Sequence, residues 1–426
     1  MTAYSSSRIS LENKTTSKTP TLIYKIFKIT LCLISFNIFV LGALTIVLQQ
    51  LLVNVFLSNF VQLKQTLLND SKKKFIILLI TIFRINTPNC KVRITIPKAI
   101  NQKYKIITKD TETITDLTSA TIDAKTHFKD KSVVIANHQI YTDWVYLWWL
   151  AYTSNLAGNI YILLKKSLES LPILGYGMKN YNFIFLSRKW GKDKINLHNH
   201  LNDINLDSQG KGRLSGKQPE TTTLDGEFIW AEDTSLPEEN DNKKWPYQLI
   251  LFPEGTNLSA NTKNKSAEFA KKIDRKPFNN VLLPHVTGLY EVLKTLSTCK
   301  TLYDLTIAYS GVPQDEFAQD IYTIRGVFLE GKSPAIVDIY INGLERTEIP
   351  LENMDVFGEW LFERWDLKDQ LMERYYKNNG DFKADENEYD TYLFSCTCSY
   401  MNYLSILVTP VLSFVFILKY FIKKMF

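Results

Sequence analysis

The sequence predicts an α/β protein: a mixed central sheet flanked by helices, with membrane helices at the N-terminal and C-terminal ends. Three observations predict it. Short apolar runs that do not alternate, at 133–136 (VVIA), 183–186 (FIFL) and 249–252 (LILF), read as strands buried on both faces of a sheet. An amphipathic segment of helical length covers 351–376. Residues 29–61 contain no charge, and neither do residues 391–418.

Residues 1–25 are rich in Ser, Thr and Lys and read as a disordered tail. A membrane anchor of one or two helices is expected over 26–85. The charge-free run inside it exceeds the roughly 20 residues a membrane helix needs and is too long for the apolar core of a cleavable signal. Lys25 and Lys28 precede this run and Lys72, Lys73 and Lys74 follow it, so charge counting assigns no orientation and both flanks are compatible with the cytosol. The apolar stretch 75–83 either extends a hairpin or lies in the interface, or it belongs to the core of the body that follows. That body is expected over 86–390, with a Thr- and Asp-rich edge hairpin at 110–123.

The stretch VVIANHQIYTDWVYLWWL, residues 133–150, carries the most chemistry. Its strand ends at Ala136, so His138 falls just beyond a carboxyl end. Thr142 is placed to N-cap a helix over 143–152, and Asp143 sits in the first turn, where the helix dipole favours an acid. Asp143 then faces the imidazole across one tight loop. A histidine of ordinary pKa near ~6.5 accepts a proton at neutral pH, and a carboxylate on its other nitrogen fixes the tautomer and stabilises the imidazolium. Such a pair can deprotonate a hydroxyl; the alternative is that His138 caps a helix and Asp143 only serves the dipole. Two more apolar runs end on polar clusters, Ser187-Arg188 and Pro253-Glu254-Gly255-Thr256. Open α/β sheets bind ligands outside the carboxyl ends of their strands, so the three strand ends are expected to converge on one site.

Residues 199–244 are poor in apolar side chains and read as a disordered insertion. Beyond it, 304–309 and 335–341 read as strands. Leu361, Trp365, Leu367, Leu371 and Tyr375 form the expected stripe of the long helix, a core-packing face or, alternatively, a membrane-facing one. The final segment, 391–426, is expected to be a membrane segment with Pro410 near the centre of its charge-free run, a bent span or a re-entrant hairpin. The Lys423-Lys424-Met425-Phe426 tail has the form of the dilysine signal read in the cytosol for retrieval to the endoplasmic reticulum, which favours a hairpin or in-plane helix, the alternative being two lysines snorkelling after a membrane segment.

Five cysteines, odd in number and irregularly spaced, argue for reduced thiols and a body facing the cytosol. Cys396-x-Cys398 and His198-x-His200 have no partner pair at zinc spacing, so no metal is expected. The net charge of +6 suits an anionic membrane surface, and no aromatic-interleaved basic stripe points to nucleic acid.

NHQIYTD, FIFLSR, FPEGT and VLLPHVTG, in this order, resemble the four blocks of the glycerolipid acyltransferases. The resemblance runs over about 137–376 and is nearest to the branch that includes lysocardiolipin acyltransferases and fungal lysophosphatidylinositol acyltransferases. It implies an enzyme that moves an acyl group from acyl-CoA, a co-substrate, to a lysophospholipid hydroxyl at the bilayer, with no cofactor. It makes His138 the base and Asp143 its orienting acid. Arg188, and Lys165 upstream, are implied to hold the acceptor's phosphate. Glu254, Gly255 and Thr256 match the third block, where the carboxylate organises the acceptor site and the glycine admits close backbone amides. Pro284 matches the fourth, linked to acyl-CoA or structural support. Trp144, Trp148 and Trp149 then either border an acyl tunnel or the headgroup level, or are core aromatics.

Two departures bear on the acceptor. Asn257 stands where lysophosphatidic acid acyltransferases commonly carry arginine, and His285-Val286 stands where the fourth block often has one. Fewer fixed cations favour a phosphodiester, of charge about −1, over a monoester of about −2. Lysophosphatidylinositol is therefore the first expected acceptor, with lysocardiolipin or lysophosphatidylglycerol next; Lys263 or Lys265 would compensate in favour of lysophosphatidic acid. A CoA-independent transacylase and a non-catalytic membrane scaffold are the competing classes.

Overall fold

The computed structural model describes residues 22–108, 125–187, 189–215, 221–222, 228–229, 244–385, 387–399 and 401–406. Its strands are β1 (Lys91–Pro97), β2 (Ser132–Ala136), β3 (Ile160–Lys165), β4 (Ile184–Leu186), β5 (Thr221–Thr222), β6 (Phe228–Ile229), β7 (Gln248–Leu251), β8 (Thr301–Tyr309), β9 (Ile336–Glu345) and β10 (Tyr389–Ser395). Eight of them make one mixed sheet in the order β10-β1-β9-β8-β2-β7-β3-β4, and β5-β6 form a separate ribbon. β8, β2, β7, β3 and β4 run parallel, so their carboxyl ends share one edge; β9 turns antiparallel to β8.

Every residue of β2 is buried, as its unbroken apolar run predicts. Val134 and Ala136 enter one core and Val133 and Ile135 the other, so helices cover both faces of the sheet. The helices are α1 (Leu22–Phe56), α2 (Val61–Asn86), α3 (Lys98–Tyr104), α4 (Asp143–Thr153), α5 (Leu174–Asn180), α6 (Trp190–Ser208), α7 (Ala260–Lys272), α8 (Val286–Thr295), α9 (Ala318–Ile321) and α10 (Met354–Lys377). Trp148 and Trp149 of α4 are fully buried, with indole N–H groups on the Ala157 and Thr397 carbonyls at 2.9 and 3.1 Å. They are core aromatics, and the tunnel or headgroup reading does not hold for them.

α1, at 35 residues, is long and apolar enough to cross a membrane. Its two faces reverse the pattern of a soluble helix. Leu22, Ile26, Ile29, Leu33 and Phe36 point outward, whereas Lys28, Ser35, Gln49 and Gln50 are buried against the protein. Asn86 donates to Ser35 Oγ at 2.7 Å, Gln50 to Ser71 Oγ at 3.1 Å and Asn54 to Tyr176 Oη at 3.0 Å. Gly42 lets α2 come close, since a Cβ there would meet Leu78 at 2.7 Å. The stretch 75–83 belongs to the core of the body: Ile76, Leu78 and Ile80 have no exposed surface. Lys72 and Lys74 are buried too, on the Ile160 carbonyl at 2.8 Å and Gln49 Oε1 at 3.2 Å, so they are not flanking surface cations.

Three boundaries and one stripe differ from expectation. Residues 22–25, expected in the disordered tail over 1–25, open α1. α6 continues to Ser208 and buries Leu197, Leu201 and Ile204, so the insertion expected from 199 begins later; three apolar residues at helical spacing outweigh a polar composition. Residues 391–395 are not membrane segment but part of β10, paired antiparallel with β1 from Tyr389 to Ser395. A charge-free run serves an edge strand as well as a bilayer. On α10, capped by the Asn353 side chain, the buried face is Phe357, Leu361, Trp365, Lys368, Met372 and Tyr375, while Leu367 is 46% exposed. The tail 1–21, the hairpin expected at 110–123, and residues 407–426 with Pro410 and the dilysine lie outside the described residues.

Candidate active site

The site forms where β2 and β7 end side by side. Asn137 closes β2 by exchanging two hydrogen bonds with the backbone of Ile307 in β8, at 2.7 and 3.0 Å. His138 follows on the loop, 17% exposed at its side chain, with its ring stacked 4.3 Å from that of Phe252. Its Nδ1 lies 2.8 Å from Asp143 Oδ2.

Asp143 is wholly buried. The same Oδ2 accepts the Gln139 and Ile140 amides at 2.6 and 3.0 Å, and Oδ1 accepts the Tyr309 hydroxyl. Thr142 makes no side-chain cap, contrary to expectation: the Val145 amide that its hydroxyl would have taken bonds the Thr142 backbone carbonyl at 2.9 Å. A carboxylate already fed by two backbone amides and a hydroxyl acts as an acceptor, which favours the tautomer with the proton on His138 Nδ1 and the lone pair on Nε2. Nε2 makes no hydrogen bond among the described residues. Burial and the neighbouring Asp143 charge push the Tyr309 hydroxyl well above its ordinary range, so it stays a donor.

Beneath this pair lies Glu254, 2% exposed. Its Oε2 accepts the His138 backbone N–H at 3.2 Å, its Oε1 the Trp365 indole N–H at 3.2 Å, and the Leu282 amide is a further donor. Burial raises its carboxyl to about 8, against the pull of these donors. Glu254, expected to help organise the acceptor site, is buried and holds the loop that carries His138. The Leu258 amide also ties this loop, bonding the His138 carbonyl at 2.8 Å.

Gly255 adopts φ +68°, and a Cβ there would meet the His285 ring at 3.1 Å, so both conformation and space call for glycine. Pro284 is buried, and the next residue's amide bonds the Pro253 carbonyl at 2.8 Å, joining the fourth block to the third. Thr256 is half-buried on the same loop, and Lys165 is exposed at the end of β3 on the same sheet edge. Arg188 lies outside the described residues. The residues on either side of it are held by Asp193, which accepts from Ser187 N, Ser187 Oγ and Lys189 N at 2.9, 2.9 and 3.1 Å. Asn257 is buried and donates to Gln319. His198 pairs with Glu291 at 2.7 Å and His200 with the Asn196 carbonyl at 2.8 Å.

Sequence reasoning missed two contributors, Tyr309 and Trp365. Tyr309 closes the DLTIAY run, which placed it at a strand's carboxyl end and was signal enough to suspect it. Trp365 read only as a core stripe.

The arrangement has the parts that a general base requires: an oriented imidazole with an available nitrogen, and no serine or cysteine bonded to it among the described residues. The family model "Acyltransferase" matches residues 106–310, and "Acyltransferase C-terminus" matches 327–405. A 2-acyl-1-lysophosphatidylinositol acyltransferase of Saccharomyces cerevisiae is 45% identical over 395 residues, 92% of this chain and 96% of the relative. Lysophosphatidylinositol acyltransferase 10 of Caenorhabditis elegans is 30% identical, covering 58% of this chain and 54% of its own. Lysocardiolipin acyltransferase 1 of Gallus gallus is 28% identical, covering 59% and 56%. The chain belongs to the acyltransferase family and is an acyltransferase enzyme.

Proposed function

We propose that the protein is a membrane-bound acyl-CoA:lysophospholipid O-acyltransferase that acylates the free glycerol hydroxyl of lysophosphatidylinositol during acyl-chain remodelling. The observation that carries the reading is the His138–Asp143 pair, with Nδ1 engaged at 2.8 Å and Nε2 available. Nε2 takes the hydroxyl proton as the glycerol oxygen attacks the thioester carbonyl; the CoA thiolate leaves, and the imidazolium returns a proton to it. A base in this role is worth about 10²- to 10⁴-fold in rate. Asp143 holds the ring and stabilises its charged form. Lys165 and Arg188 receive the acceptor's phosphate, Arg188 by bidentate bonding. Acyl-CoA is a co-substrate, and no separate cofactor takes part.

The outward apolar stripe of α1 meets the bilayer, where both acyl substrates reside; partitioning at about 0.8 kcal/mol per buried CH₂ keeps them there. The assigned membrane is the endoplasmic reticulum, with the body on the cytosolic side, where acyl-CoA and reduced thiols are found. The yeast relative, a 2-acyl-1-lysophosphatidylinositol acyltransferase, supports inositol as the headgroup. A panel of lysophospholipids offered to the purified protein with labelled oleoyl-CoA or stearoyl-CoA tests this. Lysophosphatidylinositol is expected to be acylated fastest, with equimolar thiol release; a strong preference for lysophosphatidic acid, or transfer without thiol release, contradicts it.

A further inference from the structure

The long helix α10 reaches the floor of the site from a distant part of the chain. Trp365 sends its indole N–H to one oxygen of Glu254, whose other oxygen takes the backbone N–H of His138, each at 3.2 Å. Three residues along the same face, the Lys368 ammonium lies 5.1 Å from the Trp365 ring centroid. Lys368 is itself held by Asp304 and by the Leu305 carbonyl at 2.6 Å, and Arg364 grips Asp304 with two bonds at 2.8 and 3.0 Å. Trp365, Lys368, Glu254 and Asp304 are 0–3% exposed, so water does not substitute for these partners.

We propose that Trp365 is a positioning residue for acyl transfer: its indole N–H fixes the Glu254 carboxyl and, through it, the backbone from which the His138 imidazole projects. A tryptophan kept only to fill space uses its ring. Here the ring and the donor have separate partners, the ring facing a held ammonium and the N–H facing the carboxyl beneath the base. The C-terminal part of the chain thereby sets the attitude of a base carried by the N-terminal part. This deepens the acyltransferase reading and rests on it. A displacement of about 1 Å in a reacting group can cost on the order of 10²-fold, so losing one of its several restraints is expected to cost roughly tenfold.

Trp365→Phe keeps most of the ring and the face toward Lys368 but removes the donor. With the full chain in mixed micelles, kcat for oleoyl-CoA and lysophosphatidylinositol is expected to fall about tenfold, with both KM values within about twofold of wild type. Glu254→Gln also loses rate, because its NH₂ must face one of the N–H donors. In the double variant the amide turns that NH₂ toward the place the indole N–H left and keeps its oxygen on His138. Its kcat is therefore expected to be no lower than that of Trp365→Phe alone, a non-additivity that a space-filling role does not produce. Losses that multiply, an unchanged kcat in Trp365→Phe, or an effect confined to KM would each overturn the proposal. A wild-type protein that transfers no acyl group would instead remove the acyltransferase reading, whatever Trp365 does.

Discussion

Asp143, Tyr309, Glu254 and Trp365, which form the floor of the site, are each 0–2% exposed and bonded on every oxygen or N–H their side chains present. Lys165, Gly255 and His285, around the rim, are exposed. A buried carboxylate has one arrangement in which all its acceptor sites are fed, so the floor is specified to fractions of an ångström; a solvated lysine has many. In the proposed function the chemistry belongs to the floor and the choice of acceptor to the rim. Floor substitutions are expected to lower kcat, and rim substitutions to move KM and headgroup preference.

The largest expected effect is that of Asp143→Asn. An amide presents a donor to His138 Nδ1 or to the turn amides, so the ring loses its tautomer and its support. A fall in kcat of about 10³- to 10⁴-fold is expected, close to the effect of neutralising the orienting carboxylate of a Ser-His-Asp triad. Steady-state kinetics beside a melting curve check it; a loss under about tenfold would put Asp143 among the merely structural residues.

Glu254 sharpens the comparison through stability. Burial moves its carboxyl from an ordinary 4.5 up to about 8 in the folded protein. The fold therefore favours the neutral acid: its contribution is complete below about pH 4.5 and is lost as the pH rises toward 8. Chemical denaturation of wild type is expected to show a declining component across that window, on the order of 1.4 kcal/mol per pH unit at its steepest. Glu254→Gln, neutral throughout, is expected to flatten it. Parallel wild-type and variant profiles would mean that Glu254 titrates in its usual range.

The smallest effect belongs to the rim. Lys165→Ala is expected to raise the KM for lysophosphatidylinositol about three- to tenfold and to leave kcat within about twofold, the pattern of a lost uniform binding contact. A fall in kcat at unchanged KM would move Lys165 to the floor and erase the distinction.

How much of this was legible in the sequence follows the same division. The strand ends before His138, Ser187 and Glu254 were visible because short unbroken β-branched and aromatic runs have few other uses, and the His-x4-Asp spacing fits one turn. Tyr309 and Trp365 were harder, being 166 residues from Asp143 and 111 residues from Glu254 along the chain. No local pattern records such a contact. Lys368 illustrates the reason: a lysine in a core stripe contradicts periodicity until Asp304 is found beside it. The C-terminal misreading had another source, since residues 391–395 form a half-buried edge strand paired with β1, and an uncharged run suits that place as well as it suits a bilayer.

Single-turnover acyl transfer by His138→Ala, read as CoA thiol release and acylated product from the micelle-bound full chain, tests the central claim most directly. With the fold intact by circular dichroism, the account predicts that both signals fall together by about 10²- to 10⁴-fold. Transfer at an undiminished rate, or a stable acyl-enzyme in the wild type, would contradict it.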